Sequence, residues 1–175
     1  KPDKLPITES APLRPASPYA ESKVVQEKLC LDYLKNKNLK IIISRSFNHT
    51  GPGQSPEFVW SSFSKQIAEI EAGKRTEIKV GNLDVKRDFT DVRDMIKAYL
   101  LAVKKCKPGE IYNVCSGRAY NLRKMLDVLK SYSNAEIKMV ADSSRMRKVD
   151  VPVLFGDNSK FVAATGWQPE IPFEQ

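Results

Sequence analysis

The sequence predicts an α/β fold built on a parallel sheet, and three observations carry this. A long helical stretch, residues 18–37, is followed within a few residues by Ile41-Ile42-Ile43, a β-branched run typical of a strand buried on both faces. Helical and extended stretches then alternate through the chain, the pattern of α/β units rather than of a sandwich or a bundle. A loop marked by glycine and proline, Asn48 to Gln54, leaves the end of that first strand, where open α/β sheets bind their ligands.

Residues 1–16 read as a loop, because Pro2, Pro6, Pro12 and Pro15 break any helix or central strand. The helix over 18–37 starts cleanly. Ser17 is a good N-cap, and Pro18 occupies the first helical position, where a missing N–H costs nothing. Val25, Leu29 and Tyr33 form an i, i+4, i+8 stripe, with Cys30 and Leu34 beside it. Lys40 to Phe47 is the strand. Residues 57–72 read as a helix with Phe58, Phe63, Ile67 and Ile70 inward and Gly73 as its stop. Residues 76–80 are a strand, and Lys86 to Phe89 a short extended piece. Asp91 caps a helix to Lys105 with Met95, Tyr99 and Leu100 on its apolar side. Pro108-Gly109 turns into a strand, Glu110 to Cys115. Asn121 caps a helix to Tyr132, and Glu136 to Val140 is a further strand. The tail holds an arginine cluster, an extended Val151 to Phe155 and a short helix over 158–165.

Composition narrows the function. Hydrophobic residues make up 41% and charged residues 29% of 175, which suits a folded, soluble domain. No apolar run approaches the ~20 residues of a membrane span, and the polar, proline-rich start is no secretory signal. Cys30, Cys106 and Cys115 are odd in number and widely spaced, which suits a reducing cytoplasm and forms no metal pattern. The net charge of +8 raises the question of nucleic acid, but binding it needs a clustered basic face. Here bases and acids are mixed, and the tightest cluster is Arg145-Met146-Arg147-Lys148. A phosphate-bearing small molecule accounts for such local arginines equally well, so neither nucleic acid nor membrane is expected as a partner.

The chemistry centres on Tyr19 and Lys23. Four residues apart on a helix, they share one face. An ammonium beside a phenol favours the phenolate, which makes a tyrosine usable as an acid or base near neutrality. Spacing alone is weak, since Tyr33–Lys37 and Tyr120–Lys124 repeat it. The Ser-Pro cap and the small Ala20 and Ser22 single out the first pair. The alternative is an ordinary surface tyrosine and lysine.

Five stretches in order resemble the extended short-chain dehydrogenase/reductases that act on nucleotide sugars. They are Ser17 to Lys23; Arg45 to Gln54; Arg87-Asp88-Phe89-Thr90-Asp91-Val92-Arg93-Asp94; Ile111 to Gly117; and a tail running through Arg147, Asp150-Val151-Pro152, Gly156-Asp157, Thr165-Gly166-Trp167 and Pro169 to Gln175. Within that family the match looks nearest to reductases of GDP-4-keto-6-deoxy-mannose, and next to GDP-mannose 4,6-dehydratases. Lys148 departs from the proline usual after the tail arginine.

The resemblance implies an enzyme that reduces the 4-keto group of a GDP-4-keto-6-deoxyhexose with NADPH (or NADH), with a dehydratase or epimerase as the alternative. It implies that Tyr19 donates the proton and that Lys23 contacts the cofactor ribose. His49 touches the nicotinamide end, Asn48 meets the diphosphate, and Arg87 and Arg147 bind the nucleotide and diphosphate. For His49 and the arginines, a backbone-bonded loop histidine and surface ion pairs are the plainer alternatives. Residues 1–53 correspond to the end of a Rossmann domain, 54–90 to a substrate-binding segment, 91–117 to a returning Rossmann helix and strand, and 118–175 to a substrate-binding region. Neither a glycine-rich dinucleotide turn nor the family's catalytic Ser/Thr is present. The expectation is therefore the C-terminal half of a homodimeric enzyme, without its dinucleotide-binding half. The other class left open is a non-catalytic nucleotide-sugar-binding module.

Overall fold

The structure is a computed structural model and describes residues 2–146 and 150–173. The chain opens with a loop and then α1 (Pro18–Lys37), β1 (Ile43–Ser46) and β2 (Asn48–Thr50). Next come α2 (Val59–Glu71), β3 (Glu77–Val80), β4 (Lys86–Arg87), β5 (Phe89–Asp91) and α3 (Val92–Lys105). The last part holds β6 (Ile111–Val114), β7 (Tyr120–Asn121), α4 (Leu122–Ser131), β8 (Lys138–Ala141), β9 (Val153–Leu154) and α5 (Ser159–Thr165).

The helix starts obey local chemistry. Ser17 Oγ accepts from the Ala20 N–H at 3.2 Å, Asp91 from the Arg93 N–H and Asn121 from the Lys124 N–H, each answering an otherwise unpaired first-turn donor. The strands pair in parallel across long sequence gaps: β1 with β6, β2 with β5, β3 with β8 and β4 with β9, while β4 also takes β7 antiparallel. Parallel pairing over such gaps needs helical crossovers, as the alternation of elements predicts.

Two cores form. One gathers Trp60, Phe63, Ile67 and Ile70 of α2 with Ile78, Val80, Leu83 and Val85, closed by Leu122, Met125 and Leu126 of α4. The other joins Met95, Ala98 and Ala102 of α3 to Tyr112 and Val114 of β6, with Phe161 of α5 and Trp167. The tail is tied to α3 by the buried Asp94, which accepts the Glu170 and Ile171 N–H groups, each at 2.8 Å.

Three expectations of orientation fail. Phe58 is exposed, because it is the N-cap of α2 and precedes the turn that packs inward. Tyr99 and Leu100 are exposed with Ile96 and Val103, since the small Ala98 and Ala102 take the packed face of α3. Ile41 to Ile43 are only half-buried, and Val25, Leu29 and Tyr33 on α1 are exposed. Both elements therefore carry apolar surface that no described residue covers.

Cysteine burial yields a first expected result. Desolvation, reinforced by the nearby Asp88 carboxylate, pushes the Cys115 thiol up to about 12, and burial likewise raises Cys106. Thiolate is the reactive form. Iodoacetamide at mildly alkaline pH should therefore label the half-exposed Cys30 and spare the other two, as read by peptide mapping. Equal labelling of all three would contradict the packing around β6.

Candidate active site

Two anchors give the direction of α1 against the sheet. Leu34, near its C-terminal end, lies about 3.6 Å from where a Cβ on Gly109 would stand, just before β6 begins. Glu27, two turns earlier, accepts a bidentate pair from Arg45 Nε and Nη2 in β1 at 2.8 and 2.7 Å. The helix thus runs antiparallel to β1 and β6. From the Glu27–Arg45 contact, Tyr19 lies eight residues up the helix, about 12 Å at 1.5 Å per residue. Asn48 lies three residues up the chain from Arg45, about 10 Å at strand spacing. The Tyr19–Lys23 turn and the Asn48-His49 loop therefore arrive at the same end, the carboxyl ends of the parallel strands.

The same geometry separates the three tyrosine–lysine pairs. Tyr33 and Lys37 fall in the last turn of α1, at the opposite end of the sheet. Tyr120 lies in β7 and Lys124 in α4, so they share no helix face. Tyr19 alone combines the shared face with the ligand end. It is 72% exposed, and the Lys23 ammonium sits 5.6 Å from its ring centroid. Lys23 Nζ also donates to Gln26 at 3.2 Å.

The loop after β1 is held from below. Asn48 Nδ2 donates to the Asp88 carbonyl at 3.0 Å, which leaves the side-chain carbonyl oxygen as its acceptor end. His49 Nδ1 lies 3.1 Å from the Phe47 carbonyl, and because that partner can only accept, Nδ1 is the donor. His49 lies in the short strand β2 rather than in the loop expected from sequence, and its ring is bonded to backbone. Gln54 closes the loop, accepting from Thr50 and Ser61 and donating to the His49 carbonyl. Gly51 is required here, since a Cβ would stand 2.4 Å from Val92 Cγ1.

Beneath the loop lies a group that motif reasoning did not select. Asp88 is fully buried, and its carboxylate accepts from the Ser116 N–H at 2.8 Å, the Ser116 hydroxyl at 2.7 Å, and the Gly117 and Gly156 N–H groups at 3.2 Å. Burial pushes this carboxyl above its ordinary value, and the four donors pull it back. One residue thus locks the ends of β6 and β9 to the loop that carries Asn48. Glu9 does similar work, with its carboxylate on the Asn113 N–H and its carbonyl on Arg45. In the sequence Asp88 stood only as one member of the third matching stretch, and Glu9 as an acid in the opening loop.

Arg87 is largely buried. It pairs with the Asp150 carboxylate and donates to the Val151 carbonyl at 2.6 Å and the Lys86 carbonyl at 2.8 Å. The ion-pair alternative is thus realised in the protein alone. Arg147 lies outside the described residues.

Comparison with known proteins bears on this arrangement. A family model described as GDP-mannose 4,6 dehydratase matches residues 1–175. The chain is 38% identical over 172 residues to GDP-6-deoxy-D-mannose reductase of Pseudomonas aeruginosa, covering 98% of this chain and 57% of that protein. It is 29% identical to GDP-mannose 4,6 dehydratase 1 of Arabidopsis thaliana, covering 97% and 47%. Among solved structures, the Pseudomonas aeruginosa RMD complexed with NADPH superposes with a TM-score of 0.92 at 38% identity, over 98% of this chain and 57% of that one. UDP-glucose 4-epimerase of Thermotoga maritima with UDP-glucose superposes with a TM-score of 0.83 at 26% identity, over 97% and 53%. The chain spans about half the length of the relatives it matches.

Proposed function

Since this chain belongs to the GDP-mannose 4,6-dehydratase family, we propose that the whole protein is a nucleotide-sugar oxidoreductase, one that reduces the 4-keto group of a GDP-4-keto-6-deoxyhexose with NADPH. What supports this is that the Tyr19–Lys23 turn and the Asn48–His49 segment both lie toward the carboxyl ends of β1 and β6. The higher identity to a reductase than to the dehydratases favours reduction.

The residues fit a nicotinamide cofactor. Lys23 is an exposed cation one turn from an exposed phenol, placed to reach ribose hydroxyls, and the His49 ring lies toward the same end of the strands. When bound, the reduced nicotinamide supplies hydride to the C4 carbon. The phenol of Tyr19 gives its proton to the oxygen developing on C4. The Lys23 ammonium stabilises the phenolate left behind. Asn48 faces the diphosphate, and Arg87 and Arg147 supply its positive partners, with Arg87 pre-set by Asp150.

The uncovered apolar surfaces suit the same reading. Ile96, Leu100 and Val103 on α3 would pack against the dinucleotide-binding half, and Val25, Leu29 and Tyr33 on α1 against a second copy. The enzyme would be a cytoplasmic homodimer. Among the described residues no helix is long and apolar enough to cross a membrane.

The family model and the Arabidopsis relatives favour a second reading, dehydration of GDP-mannose. One pair of assays on the complete protein separates the two. A reductase consumes NADPH stoichiometrically with the 4-keto substrate and leaves GDP-mannose unchanged. A dehydratase converts GDP-mannose to the keto sugar with no net change in cofactor. Neither activity in a folded, complete protein would refute the proposal and leave an epimerase or the non-catalytic binding module standing.

A further inference from the structure

Among the described residues, α1 has no fully buried side chain. Its half-buried residues run Ala20, Val24, Glu27, Leu31 and Leu34, the stripe that a helix turns toward a sheet. Glu27 is the one charge on that stripe, and its side chain is only 13% exposed. A further leucine would satisfy packing there, because a largely buried ion pair adds little net stability over apolar residues of similar size. What the pair adds is direction. Arg45 Nε and Nη2 meet the two oxygens of Glu27 at 2.8 and 2.7 Å, and a two-point fork fixes an angle as well as a distance.

The guanidinium is itself held from the other side. Its Nη1 donates to the Glu9 carbonyl at 2.7 Å. The Glu9 carboxylate accepts from the N–H of Asn113, the residue of β6 that pairs in register with Arg45. The fork is thus fixed to both strands before it reaches α1. Glu27, Lys23 and Tyr19 stand at intervals of four along that helix, so a shift or turn of α1 at Glu27 is carried to both. We infer that the Glu27–Arg45 pair is a positioning device: it sets where the Tyr19–Lys23 turn stands relative to the carboxyl ends of β1 and β6, and the inference rests on the reading of Tyr19 as proton donor. Glu27 lies about 12 Å along the helix from Tyr19, so the pair acts through the turn and not on the substrate.

The test uses the complete protein, with the single variants Glu27→Gln and Arg45→Lys and the double variant Glu27→Leu with Arg45→Met. The double variant keeps the stripe packed with apolar side chains and removes the fork. Misplacing a reacting group by about 1 Å can cost about 10²-fold. In all three variants kcat per folded molecule is therefore expected to fall about 10- to 100-fold, with KM for the keto sugar within about twofold of wild type. The loss in the double variant should be no greater than in the worse single variant, since both substitutions break one contact. If the double variant does not fold, the two single variants carry the same comparison. A tie that serves stability alone gives the opposite split, a lower melting temperature with unchanged kcat per folded molecule, and that result overturns the inference. Amide exchange read by mass spectrometry reports on the turn without any assay. In Arg45→Lys, which keeps the charge and loses the fork, exchange should quicken over residues 20–27 and stay unchanged over 30–37. Should the wild type reduce no keto sugar, the proton-donor reading fails and exchange decides the anchor by itself: faster exchange over 20–27 upholds it, and unchanged exchange overturns it.

Discussion

Replacing Tyr19 by phenylalanine is expected to lower turnover of the 4-keto substrate by about 10²–10⁴-fold, the usual range for removing a positioned acid. The substitution deletes one hydroxyl and keeps the ring, so the contact with the Lys23 ammonium survives. Tyr19 is mostly exposed and supports no core, so stability should change by less than about 0.5 kcal/mol. Substrate and cofactor binding should change little, which places the loss in the chemical step. The chain supplies its own controls. Tyr33→Phe and Tyr120→Phe remove the same hydroxyl from the same four-residue spacing, but at sites away from the carboxyl ends of β1 and β6. Both should retain full activity. Steady-state kinetics on the three variants of the complete protein decide the matter. Near-normal turnover in Tyr19→Phe, or an equal loss in Tyr33→Phe, would falsify the assignment.

The second large effect is on the fold. Asp88→Asn should destabilise the protein by about 3 kcal/mol, though it changes the side chain by a single group. The carboxylate meets four donors, two on each oxygen. An amide has only one acceptor oxygen. In either orientation its NH₂ faces two protons, from Ser116 or from Gly117 and Gly156. Each buried donor left unsatisfied costs about 1–3 kcal/mol. Relief from burying a charge offsets part of that, since burial already raises this carboxyl. Asp84→Asn is the contrast: its partner Arg123 is an exposed surface pair, so the loss should stay below about 1 kcal/mol. Denaturant melts of both variants check the difference. If Asp88→Asn melts like the wild type, the four-donor cluster is not what holds these segments together.

The two residues illustrate what the sequence makes legible. Caps can be read because their partners are two or three residues away: Ser17 with Ala20, Asp91 with Arg93, Asn121 with Lys124. The helix limits and the parallel order follow from such local signals and from alternation. Orientation was harder. Tyr99 and Leu100 are apolar and on a helix, but nothing local says that the smaller Ala98 and Ala102 take the packed face. Asp88 was invisible as a hub because its partners lie 28, 29 and 68 residues away. Arg87 was chosen for its charge, and no local feature announced that Asp150, 63 residues on, holds it.

The proline-rich N-terminal loop has a consequence for how the molecule is made. Ile7 donates its N–H to the Phe155 carbonyl and accepts from the Asp157 N–H at 2.8 Å. These bonds cannot close until the chain has grown by about 150 residues beyond Ile7. At ribosomal rates of about 5–20 residues per second, the loop waits roughly 8–30 s after it is synthesised. The second core is delayed in the same way, because Phe161 and Trp167 complete it. Until then, the packed face of α3 and the inward side chains Tyr112 and Val114 of β6 lack part of their cover. Contacts this distant also slow refolding from denaturant. Synthesis is thus the stage at which the second core stands open longest.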